Sequence, residues 1–138
     1  MITDLATFAD VITQAWNSHD IERVLCFYSS NYVGEDVGQA FLLRGQEGVR
    51  LMLESYWQAF PDLAFTVTDT LIQDSRMAIV WMAEGTHQGT IMKIPPTGHR
   101  VEVSGVSVID VEHGLVVRAQ YIWDQAGMLR HMGLLPAL

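Results

Sequence analysis

"VEVSGVSVIDVEHGLVVRAQYIWD", residues 101–124, holds two runs rich in Val, Ile and aromatic side chains on either side of His113-Gly114. Period-two runs of this composition are strand-forming. His113-Gly114 suits a two-residue hairpin turn, with glycine where the backbone needs positive φ. The stretch therefore predicts an antiparallel hairpin in which Glu112 pairs with Leu115. Counting back from that turn sets Asp124 opposite Val103, Ile122 opposite Gly105 and Gln120 opposite Ser107.

Working outward, strands are expected over 63–73, 76–91, 99–112 and 115–124, with Asp74-Ser75 as a tight turn and Pro95-Pro96-Thr97-Gly98 as a longer loop. The pattern before residue 63 is helical. Leu5, Phe8, Ala9, Ile12 and Trp16 recur at helix spacing over 3–16, with Thr3 or Asp4 as cap. Asp20 caps a second short helix running through Ile21, Val24, Leu25 and Tyr28. Asn31 to Leu43 reads as mostly irregular, with room for one short strand. "RGQEGVRLMLESYWQAFPDL" (44–63) is a third helix that Pro61 stops. Helices first and a strand meander afterwards mean α+β. The expected architecture is one domain over 1–138, a curved antiparallel sheet wrapped around the N-terminal helices, cone-shaped with an internal apolar cavity.

Composition narrows the partners. The 138 residues carry 8 basic and 16 acidic side chains, a net charge of −8. Such a surface repels nucleic acid and anionic lipid, so neither is expected as a partner. A small, neutral, largely apolar molecule is. The single cysteine, Cys26, leaves no internal disulfide and no cysteine metal site. No histidine pair has metal-ligand spacing, so no metal is expected. No run is long and apolar enough to span a membrane, and the N-terminus lacks a basic region of the signal-peptide kind; with one cysteine, a reducing cytoplasm is the default compartment.

In the counted register one face carries Met77, Ile79, Trp81, Ala83 and His87, then Val101, Val103, Gly105 and Ser107, then Gln120, Ile122 and Asp124. An apolar face with a few convergent polar groups is the composition of a small-molecule pocket. Trp81, Val103, Gly105, Ser107, Gln120 and Ile122 are its candidate wall, with Tyr32 and Trp57 as candidate platforms for a flat ligand. Asp124 has two readings. It is a favoured N-cap for "QAGMLRHM", and it is a carboxylate among apolar side chains, which raises its pKa toward the working pH of a proton-transfer group. His87 is either a strand-end histidine bonded to backbone or a group that polarises a carbonyl oxygen. The two would stand roughly 10 Å apart, two inter-strand spacings. His19 and His113 read as loop residues and His131 as exposed.

The order of elements, with "AFPDL", "GTHQG", "PPTGHRVEVSG", "VIDVEHGLVVRAQYIWD" and "GMLRHMG", resembles the SnoaL-like polyketide cyclase family of the nuclear-transport-factor-2-like superfamily, over roughly residues 5–134. The resemblance implies an α+β cone and a homo-oligomer. It also implies that an Asp at the position of Asp124 acts as acid/base in an intramolecular aldol closure, without metal or cofactor. His99 stands where that family often has Lys. The first functional expectation is thus a cofactor-independent cyclase or isomerase of a carbonyl-rich, polyketide-like molecule, with Asp124 and His87 as catalytic pair. The alternatives are a non-catalytic pocket protein or oligomeric adaptor, and a hydrolase or hydroxylase on the same scaffold, for which Arg118 and Asp124 supply part of the needed set. A homodimer is expected through an exposed apolar face formed by Val117, Ala119, Tyr121 and Trp123.

Overall fold

The computed structural model describes residues 4–138. Helix α1 (Leu5–Asn17) starts at Asp4, whose side chain accepts a hydrogen bond from the Ala6 amide at 2.9 Å. The alternative cap, Thr3, lies outside the described residues. Helix α2 (Ile21–Leu25) is capped by Asp20, which accepts from the Arg23 amide. It ends before Tyr28, because Tyr28 opens strand β1 (Tyr28–Asp36) and pairs with Val116. A tertiary strand pair here outweighs local helix preference. Strand β2 (Phe41–Arg44) leads into α3 (Gly45–Ala59), which stops two residues before Pro61.

Strands β3 (Ala64–Gln73), β4 (Arg76–Thr86), β5 (Arg100–Glu112) and β6 (Leu115–Trp123) follow, then α4 (Gln125–His131). The strands form one curved, open sheet in the order β2-β1-β6-β5-β4-β3. Four of its pairings are antiparallel, but β1 runs parallel to β6. That parallel strand arises from the stretch expected to be mostly irregular. Strand β4 ends at Thr86 and not at residue 91. Beyond it the Gln88 and Gly89 amides leave the sheet and donate to the Ala59 carbonyl at the end of α3, at 2.9 and 3.1 Å.

The hairpin at His113-Gly114 forms as the composition dictates, with Glu112 opposite Leu115 and both turn residues at positive φ, 53° and 76°. Three residues on, the counted register fails. Val111 pairs with Val116 and Asp110 with Arg118, so Val117 is an extra residue in a β-bulge. A one-residue slip exchanges the faces of a strand. Trp123 therefore stands opposite Gly105 and Tyr121 opposite Ser107, while Ile122 faces Val106 and Gln120 faces Val108.

The consequence is visible in burial. Ala119 and Tyr121 are in the core, and Arg118, Gln120, Ile122 and Asp124 are exposed. The face on which a homodimer was expected is thus largely an inner face, with Ala119 and Tyr121 buried and Val117 and Trp123 half-buried. The core lies between the concave side of the sheet and helices α1 and α3. Phe8, Ile12, Val49, Met52 and Leu53 pack there on Met77, Ile79, Ile109 and Val116. A second cluster around Phe60, Ala83, Ile91, Val101, Met128 and Met132 closes the α4 end. Burying each Leu, Ile, Phe or Met stabilises the fold by about 1.5–3 kcal/mol. Asn17 fastens the end of α1 to the edge strand β3 by bonding both the Phe65 amide and carbonyl, at 2.7 and 3.0 Å. No helix among the described residues is long and apolar enough to cross a membrane.

Candidate functional site

A cavity of about 120 Å³ opens between the concave sheet and the helices. Its wall is mostly apolar: Ile12, Trp16, Met52, Phe60, Leu63, Phe65, Ile79, Trp81, Val101, Val103, Ile109, Trp123 and Met128. The few polar groups include one carboxylate of unusual setting. Asp36, at the end of β1, lines the cavity with only 1 % of its surface exposed.

Three elements hold Asp36 in place. One oxygen, Oδ1, accepts from Trp123 Nε1 of β6 at 2.9 Å and from the Gln39 amide at 3.3 Å. The other, Oδ2, accepts from the Tyr56 hydroxyl of α3. All three donors are neutral, and no Lys or Arg among the described residues forms an ion pair with it. A carboxylate presents about four lone-pair sites, so three bonds leave one for a further partner. Tyr56 stays protonated well beyond neutral pH: burial raises its pKa first, and the Asp36 charge raises it further. Its hydroxyl is a fixed donor to the carboxylate.

Beside Asp36 lies a cluster of phenols. Tyr121 is its partner on the adjacent parallel strand. The Tyr32 hydroxyl donates to the Tyr121 oxygen at 3.0 Å, the Tyr28 and Tyr121 hydroxyls are 3.1 Å apart, and Trp16 Nε1 donates to the Tyr28 oxygen at 3.3 Å. Tyr28 and Tyr121 line the cavity. On the opposite wall Trp81 Nε1 donates to Ser107 Oγ at 2.9 Å.

The residues singled out from sequence divide. Trp81, Val103 and Ser107 line the cavity. Gly105 lies under the Trp81 indole, where a Cβ would meet its ring carbons at 2.4 Å. Gln120 and Ile122 are on the outer face, because of the Val117 bulge. Tyr32 is buried behind the wall, bonded to Tyr121. Trp57 stacks on His19 with ring centroids 4.8 Å apart, outside the cavity wall.

Asp124 and His87 do not meet the cavity. The bulge turns Asp124 outward. It is exposed, it caps α4 by accepting from the Gly127 amide at 2.8 Å, and it borders a shallow outer cleft with Glu102, Arg130 and His131. Arg118 shares that outer face, opposite Asp110, so the partial hydrolase set of Arg118 and Asp124 is not in the cavity either.

His87 is fully buried behind Phe60, a cavity residue whose ring centroid is 5.6 Å from its own. Its Nδ1 accepts from the Thr97 amide at 3.1 Å and contacts Thr97 Oγ1 at 2.9 Å, fastening the 87–99 loop. Nε2 has no partner. Burial holds its pKa below the ordinary value, the Gly89 backbone opposes that shift, and the His99 charge adds to it.

Asp36 and Tyr56 are the polar residues that sequence reading missed. Ser29, Ser30 and Asn31 hid the strand that carries Asp36. A signal was nevertheless present: Tyr32, Gly34 and Asp36 alternate, and all three are buried.

The profile of the SnoaL-like polyketide cyclase family matches residues 6–132. Among solved structures, AclR of Streptomyces galilaeus, a provisionally assigned hydroxylase, is 25% identical with a TM-score of 0.84, over 98% of this chain and 90% of that one. IdmH of Streptomyces antibioticus, a provisionally assigned polyketide cyclase, is 26% identical with a TM-score of 0.81, over 93% of this chain and 97% of that one. A SnoaL-like polyketide cyclase of Agrobacterium tumefaciens shares the fold at 23% identity, with a TM-score of 0.78 over 96% of this chain and 100% of that one. No curated relative matches the chain.

Proposed function

We propose that this chain, which belongs to the SnoaL-like polyketide cyclase family, performs cofactor-independent acid/base chemistry on a small, carbonyl-bearing, largely apolar molecule, with Asp36 as the proton acceptor. The buried carboxylate at the cavity wall carries the reading. A charge held in apolar surroundings costs several kcal/mol unless neutral donors offset it, and such a site suits proton transfer. Asp36 takes a proton from a carbon next to a carbonyl group. The resulting enolate carbon attacks a second carbonyl of the same molecule, and the carboxyl returns the proton to the alkoxide formed. Trp123 and Tyr56 hold the carboxylate in one orientation throughout. The apolar wall folds the substrate so that its two reacting ends meet, which replaces an entropy cost by binding.

The test is hydrogen–deuterium exchange at C1 of 2-tetralone in D₂O, followed by proton NMR. The wild-type protein accelerates exchange and Asp36→Asn does not. A non-catalytic pocket gives a different result, saturable binding without exchange.

A homodimer is proposed on a different surface from the one the sequence suggested. Val80, Val106 and Ile122 are register partners across β4, β5 and β6, on the side opposite the cavity. Ile122 is 39 % exposed and Val108 flanks the row. An apolar strip at the centre of a sheet face is a surface that a second copy would cover.

A further inference from the structure

The phenol cluster holds one more proton than it uses. Trp16, Tyr28, Tyr32 and Tyr121 bring four polar hydrogens and share three hydrogen bonds. Tyr32 spends its proton on Tyr121, and Trp16 spends its own on Tyr28. The Tyr28–Tyr121 bond takes one of the two remaining protons. If Tyr28 donates, Tyr121 has accepted two bonds and keeps a free O–H. If Tyr121 donates, Tyr28 has accepted two and keeps one. In both arrangements the unspent proton belongs to a residue of the cavity wall. Burial first of all raises the pKa of all three phenols, so this proton stays in place across the neutral range.

We propose that the Tyr28–Tyr121 hydroxyl pair is a donor site for a ligand's ketone oxygen. The placement supports it. Tyr121 is the register partner of Asp36 on the next strand, so donor and carboxylate enter the cavity side by side. A ketone with its oxygen on the phenol pair presents its neighbouring carbon toward Asp36. The O–H stabilises the oxygen that gains charge as the C–H bond breaks, and it needs no reorganisation to do so. The proton goes to Asp36 and the electron pair to the enolate oxygen, so the step is balanced without a further reactant. This inference rests on the acid/base reading of Asp36, but its test needs no turnover.

The test compares 2-tetralone with tetralin, its hydrocarbon counterpart, by titration calorimetry and by the infrared carbonyl stretch of the bound ketone. The wild-type protein binds the ketone roughly 3- to 10-fold more tightly than the hydrocarbon, the value of one neutral hydrogen bond, and lowers its stretching frequency. Tyr28→Phe and Tyr121→Phe each keep the preference, since either hydroxyl alone retains a free proton. The double variant frees the Trp16 N–H, which Tyr28 no longer accepts, so the deciding protein is the triple variant Trp16→Phe/Tyr28→Phe/Tyr121→Phe, which loses both the preference and the frequency shift while still binding tetralin. Tyr32→Phe, outside the cavity wall, keeps them. A triple variant that retains the preference or the shift overturns the proposal, as does a wild type with no saturable ketone binding. A shifted carbonyl without exchange at C1 would sink Asp36 as the base and leave the donor standing, and exchange without a shift would do the reverse.

Discussion

Asp36 and Tyr121 are register partners on parallel strands, and both enter one apolar cavity. The inward direction of Tyr121 depends on a single extra residue in β6. Without the bulge at Val117, β6 would present Gln120, Ile122 and Asp124 inward, and Tyr121 and Trp123 would face solvent. The bulge thus turns Asp124 away from the cavity that Asp36 lines.

Asp124 caps α4 in the structure, and we propose that this cap is its role. Asn caps as well as Asp, so Asp124→Asn should leave the urea midpoint nearly unchanged. Asp124→Ala should lower stability by about 1 kcal/mol. Equal and large losses for both variants would contradict it.

His87 links stability to pH. In the unfolded chain the imidazole takes up a proton near its ordinary value of 6.5, and in the folded protein only at lower pH, because burial disfavours the charged form. Between those values the unfolded chain binds more protons. Its contribution is therefore full above pH 6.5, falls as pH drops toward the folded value, and levels off below it. Urea unfolding from pH 8 to pH 5 should show this loss, and it should be smaller in His87→Gln. Identical slopes in the two proteins would exclude His87 as the source.

Gly105 is a space-holder for Trp81. A methyl group there would lie 2.4 Å from the indole, so Gly105→Ala must displace that ring from its bond to Ser107. The expected cost is about 1–3 kcal/mol, the usual value of overpacking. Ligand affinity should fall as well, since Trp81 is part of the wall. Unchanged thermal stability and binding would refute this packing account.

The outer strip gives a test of assembly. Light scattering should report twice the 15.5 kDa chain mass for the wild type. Val106→Glu, which puts a charge in the centre of the strip, should give a monomer that still folds. A monomeric wild type at micromolar concentration would remove the proposed dimer.

Much of this architecture was legible because its signals are local. Asp4, Asp20 and Asp124 mark helix starts by their own chemistry, and Pro61 marks a stop. His113-Gly114 fixes a hairpin by the φ values it tolerates. The bulge has no such marker, since Leu115, Val116 and Val117 are three apolar residues in a row and suit either face. One conflict in the sequence did point to it. Arg118 and Gln120 alternate with Ala119 and Tyr121, and counting from the turn assigned the polar set to the inside. Strand β1 was hidden for a different reason. Its polar start suggests a loop, and its place beside β6 depends on a parallel pairing more than 80 residues away in sequence, which no local pattern encodes.

The central claim, that Asp36 and not Asp124 carries the proton, is tested most directly by measuring 2-tetralone C1 exchange with three proteins side by side. Asp36→Asn should lower the enzyme-dependent rate roughly 10²–10⁴-fold, the usual contribution of a positioned base, while keeping the far-UV circular dichroism of the parent. Asp124→Asn should exchange at the wild-type rate. An Asp36→Asn protein as fast as wild type, or a loss confined to Asp124→Asn, would contradict the account.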